Sequence, residues 1–172
     1  MAGEQENLKK LLEIYSGRLK ILREFKSLSG KITEEIENKS EEAADLIDEL
    51  IEKREALLEK IKDADISVRQ CESMLGENYK KMLKEIKSAA KNNAQPVYKQ
   101  EWASYLFKNF KEYKSVAVSI KETDEKNAEA IKVLMESLKN KIKAVKANKK
   151  MMDKFSDDFD KPAIGTLMNE KK

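Results

Sequence analysis

Apolar residues recur along this chain at steps of three and four, the spacing of one helix face. Leu8, Leu12, Tyr15, Leu19 and Leu22 open the pattern, which then shifts to Ile21, Phe25, Leu28, Ile32 and Ile36. A long helix wrapping round its partners drifts in this way. A first helix is therefore predicted from about Glu4 to Asn38, continuous through Gly30, where a bend fits. The second stripe is stricter: Ala43, Ile47, Leu50, Arg54, Leu57, Ile61, Ala64, Val68, Cys71 and Leu75. Ser40 suits its N-cap, with Glu41 and Glu42 in the first turn. This helix either runs past Asp65 or stops at 62–65 and restarts. Residues 77–91 place Tyr79, Met82, Leu83 and Ile86 on one face, and the polar, Asn-rich segment 91–96 ending in Pro96 is a loop.

From Val97 to about Phe155 no Gly or Pro interrupts a last stripe of Trp102, Leu106, Phe110, Tyr113, Ala117, Ile120, Ile131, Leu134, Leu138, Ile142, Val145 and Met152. After it, "SDDFDKPAIGTLMNEKK" has no regular apolar face and reads as a flexible tail over 156–172. The expected fold is all-α: an elongated antiparallel helical bundle or coiled coil of three or four long helices, one domain over 1–155. Within it, 64–98 either packs on the bundle or projects as an arm.

Composition agrees with helices. Of 172 residues 39% are charged and 40% hydrophobic, with Gly at 5 and Pro at 2. Charge is uneven along the chain. Residues 34–60 hold eleven acids against four basic residues, and 132–154 hold eight lysines against two acids. Such faces attract one another inside a fold or meet partners. The net charge of +3 gives no reason to invoke nucleic acid.

The chemistry is mostly excluded. There is no His, so His-based general base catalysis and the commonest metal ligand are gone. No phosphate loop, CxxC or EF-hand spacing occurs, so no cofactor and no enzymatic activity is expected. Cys71, the only cysteine, sits on a helical stripe as a small hydrophobe. No leader segment or membrane span is read, and the expected location is a reducing cytoplasm.

Two polar breaks remain. Arg54 occupies a seam position in the second helix, and Asp124 and Asn127 stand in the seam of the last, between Ile120 and Ile131. Arg54 either snorkels to water or meets Asp124. A pair of that kind adds little stability but fixes register. The aromatic residues Trp102, Tyr105, Phe107 and Phe110 surround their helix, so they either pack on the 77–91 helix or form a second sticky patch.

The segments "LIDELIEKREALLEKIKDAD" and "SIKETDEKNAEAIKVLMESLKNKIKAVKANKKMMDKF", with a short tail ending "NEKK", resemble the small flagellar export chaperones of the FlgN/FliT type. The likeness covers about 5–63 and 115–172, and 64–98 looks like an extension. It implies a cytosolic helical protein that holds a hook-associated or filament-cap subunit before type III secretion. It also implies that the end of the last helix and the tail bind that client, through Val145, Met151, Met152, Phe155 and Phe159. Met151 and Met152 are adjacent and cannot share one seam, and Met152 in a bundle core with Met151 on a solvated end is the plainer alternative. A second function open to such a sequence is a structural coiled coil that self-associates as a homodimer or spacer without a client. A third, binding of membrane or nucleic-acid surfaces through the Lys-rich segment 139–154, ranks last because acids lie nearby and no aromatics interleave its Lys face.

Overall fold

The computed structural model describes residues 2–38, 42–94 and 98–159, with side chains over 3–38, 42–94 and 98–150. Four helices account for 93% of the described residues, with no strand among them. They are α1 (Ala2–Asn38), α2 (Ala43–Ser73), α3 (Glu77–Lys91) and α4 (Glu101–Phe159). The chain is an all-α bundle, as the periodicity predicts.

The predicted stripe of α2 is the observed one: every position from Ala43 to Leu75 in that heptad is buried or half-buried, and the helix runs unbroken past Asp65. Ser40, the expected cap, lies outside the described residues; α2 starts from Glu42 without a side-chain cap. On α1 the expected drift does not occur. One stripe is buried throughout, Leu8, Leu11, Tyr15, Leu19, Leu22, Phe25, Ser29, Ile32 and Ile36, with Arg18 half-buried beside Leu19, while Leu12, Ile21 and Leu28 are its half-buried flanks. Two polar members, Arg18 and Ser29, break the apolar count and imitate a shift of register. Asn93, at φ 54, ends α3 in the left-handed region that Asn tolerates. The Ala94 amide then donates to the Ala89 carbonyl at 2.9 Å, closing the last turn. α4 begins at Glu101 and not at Val97, which lies outside the described residues. Tyr98 is non-helical and donates to Glu85 of α3, tying the linker back along that helix.

The chain separates into two units, Met1–Glu129 and Ala130–Lys172. In the first, side-chain contacts fix the directions. Tyr15 meets Glu72 and Arg18 meets Asp65, so α1 and α2 are antiparallel. Arg54 meets Asp124, Leu57 shares a core with Ile120, and Val68 and Cys71 share one with Leu106 and Ala103, so α2 and α4 are antiparallel too. α1 and α4 are then parallel: Asn109 reaches Tyr15, and Asn127 reaches Ser29 and Thr33. One core joins four helices, through Leu8, Leu11, Val68, Cys71, Leu83, Ile86, Ala103 and Leu106. A second joins only three, through Leu22, Phe25, Leu57 and Ile120. Residues 64–91 therefore complete a core and do not form an arm. Trp102, Phe107 and Phe110 pack against that core, Trp102 at 5.7 Å from the Tyr79 ring of α3; of the aromatic cluster only Tyr105 is exposed.

The second unit, in its described part, is α4 from Ala130 to Phe159. The helix passes Phe155 because Ser156–Phe159 hold no Gly or Pro; the first breaker is Pro162. The rest of the expected tail, 160–172, lies outside the described residues.

Candidate functional site

The first unit is keyed by polar layers, each drawing one residue from each of three helices. In one, Arg54 of α2 pairs with Asp124 of α4 and lays its guanidinium over the Phe25 ring of α1, 4.3 Å from the centroid. The Arg54 side chain is 17% exposed and that of Asp124 32%, so the head group is not out in water. Arg54 Nε and Asp124 Oδ1 are buried without a partner among the protein atoms, so the contact is one-pronged. The other layer permutes the same parts. Arg18 of α1 lies 2.7 Å from Asp65 of α2 and stands over the Tyr113 ring of α4 at 4.2 Å. Asn127 does not join Arg54. It binds α1 instead, donating to the Ser29 carbonyl at 3.0 Å and accepting from the Thr33 hydroxyl at 2.8 Å.

Sequence reasoning missed the Arg18 layer, although a signal existed: counting sevens from Leu11 lands on Arg18, Phe25 and Ile32. It also missed the network at Tyr15. The Tyr15 phenol donates to Glu72, which accepts from Lys87 of α3 at 2.6 Å. Burial, and after it the hydrogen bond to Glu72, pushes the phenol well above its ordinary pKa.

α3 fills the space between α2 and α4 only as far as Lys91. Beside its last turn the four helices line a cleft of about 400 Å³ around Tyr15 and Phe110, where Arg18, Arg69, Lys87, Lys91 and Lys114 surround the acids Asp65 and Glu72. Part of this charge serves the protein itself: Lys114 donates to the Lys91 carbonyl at 2.7 Å, at the electronegative end of α3. One turn further along α1, α2 and α4 the space becomes an apolar groove of about 540 Å³. Leu22 and Phe25 form its floor, Leu58 and Ile61 one wall, and Ala117, Ile120 and Ala128 the other, which also carries Lys121, Asp124 and Glu125.

The second unit presents a different surface. Val133, Met135, Leu138, Ile142 and Val145 are each 47–65% exposed. Met135, Leu138, Ile142 and Val145 recur at steps of three and four, so they share one face. Of the expected client-binding residues, Val145 is on this face. Met151, Met152, Phe155 and Phe159 belong to the same helix, and their side chains lie outside the described residues.

Among the described residues no group of acids and Cys is placed to hold a metal ion, and no helix is long and apolar enough to cross a membrane. No protein-family model, curated protein or solved structure matches the chain.

Proposed function

We propose that this protein is a binding protein without catalytic activity, a chaperone that holds one client through apolar side chains of the later part of α4. The observation that carries the reading is the run of exposed apolar residues from Val133 to Val145. Scattered single hydrophobics are normal on a surface, but a continuous run at helical spacing marks a contact site. Its flanking lysines keep it soluble, and its aliphatic side chains suit an amphipathic helix anchored at i, i+3, i+4 and i+7. The flagellar resemblance supplies the kind of client: a hook-associated or filament-cap subunit whose own helix polymerises unless covered. Met151, Met152, Phe155 and Phe159 extend the same site in this reading.

The test is light scattering after size-exclusion chromatography, with the protein mixed in turn with hook-associated and filament-cap subunits. A new one-to-one complex with one subunit, lost in Val145→Asp, is the expected result. Absence of any complex across the set overturns the flagellar client.

A further inference from the structure

The bundle of the first unit has a fourth place that only part of the chain fills. Between α2 and α4, α3 inserts Leu83 and Ile86 against Val68 and Cys71 of α2 and Leu106 of α4. Beyond Lys91 that place continues as the apolar groove, with Leu58 on its wall 43% exposed. What the space accepts is thus visible within the molecule: an amphipathic helix lying along α2 and α4. Ala117 and Ala128 leave room on the α4 wall for larger side chains from such a helix.

We infer that this reach of the groove is the seat of the Met135–Val145 face of a second copy of this chain. Three observations select that occupant. The first is length. The groove wall from Ala117 to Ala128 runs about 17 Å, and Met135 to Val145 runs about 15 Å, at the helical rise. The second is charge. The stretches of α2 and α4 that bound the groove, 48–61 and 117–128, hold eight acids against five basic residues, with Asp48, Glu52, Glu55 and Glu59 exposed. The offered face belongs to 132–154, with eight lysines and two acids, including exposed Lys139, Lys143 and Lys146 beside it. Opposite charge along both edges steers the two together and holds the register. The third is reciprocity. Each copy carries one groove and one face, so a pair of copies offers a seat for each face and an occupant for each groove.

This inference stands independently of the flagellar client, because the protein alone decides it. Light scattering at low salt is expected to give twice the 19.8 kDa chain mass, falling toward one chain as salt rises through the range that screens surface charge. Leu58→Asp in the groove and Leu138→Asp on the face are each expected to weaken dimerisation at least about a hundredfold. Both positions are exposed in the single chain, so circular dichroism should show unchanged helix content. The decisive experiment mixes the variants. A fluorescently labelled Leu58→Asp chain keeps a sound face, and Leu138→Asp keeps a sound groove. They are expected to bind each other at least about tenfold more tightly than either binds itself. A monomeric parent protein, a dimer that survives Leu58→Asp, or variants that show no preference for one another overturns the inference. A dimer lost only in Leu138→Asp means that two faces pair directly and the groove is not used.

Discussion

At the residue scale, the polar layers decide which helix faces which. Arg54 is held between an acid and an aromatic ring, and removing the acid leaves its charge half-buried over Phe25. Asp124→Ala is therefore expected to cost about 1–2 kcal/mol, the loss for a buried pair reduced by the remaining solvent access. Glu136→Ala, at an exposed site, should stay within about 0.5 kcal/mol. Equal melting shifts for the two would show that the pair contributes nothing. Tyr15 makes a second case, with a sign that can be worked out. The fold holds the phenol proton more tightly than the unfolded chain does, through burial and then the bond to Glu72. That contribution is whole below the ordinary phenol pKa of about 10 and is lost as pH rises above it, where the unfolded phenol ionises and the folded one resists. Thermal melts between about pH 9 and pH 11 should fall more steeply for the parent than for Tyr15→Phe, which has no phenol to ionise. Parallel curves would mean that Tyr15 ionises freely in the fold.

At the element scale, α2 shows how finely the heptad sorts neighbours. Leu57 is 4% exposed and belongs to the three-helix core, while Leu58 next to it is 43% exposed on the groove wall. Leu57→Ala is expected to destabilise by about 2–4 kcal/mol, and Leu58→Ala by under about 1 kcal/mol, in denaturant unfolding. Similar losses would place both in one core. The stripe of α2, its one Arg and the opposite Asp were legible in the sequence because a single polar residue in a long apolar heptad stands out. α1 was less legible, because Arg18 and Ser29 interrupt its seam and a count of apolar residues slides to the flanks. The partner of Asn127 was not legible at all. It binds the Ser29 carbonyl, and main-chain acceptors leave no trace in residue pattern. α3 was visible as a helix, but its place between α2 and α4 depends on a linker that Tyr98 ties back to Glu85, a contact across thirteen residues that periodicity does not report. The groove followed from none of these signals, since it is set by where α3 stops.

At the scale of the whole molecule, the two proposed contacts use the same apolar face of α4, so they exclude each other. A second copy and a client compete for Leu138, Ile142 and Val145. The apparent affinity for client is then the intrinsic affinity reduced by the fraction of chains whose face is free. That coupling separates variants which a stability assay treats alike. Leu58→Asp damages the groove and leaves the face intact, so it should release the face and bind client more tightly than the parent. The gain is about tenfold where the parent is nine-tenths dimeric. Leu138→Asp damages the face itself and should lose both partners. Titration of a labelled client into each protein, at a concentration where the parent dimerises, reads the difference directly. Tighter binding by Leu58→Asp means that self-association shields the adhesive face until a client arrives, and that the groove serves the protein in storage. Weaker binding by Leu58→Asp would put the client in the groove, in the place that continues α3, and would leave the exposed face of α4 to another partner.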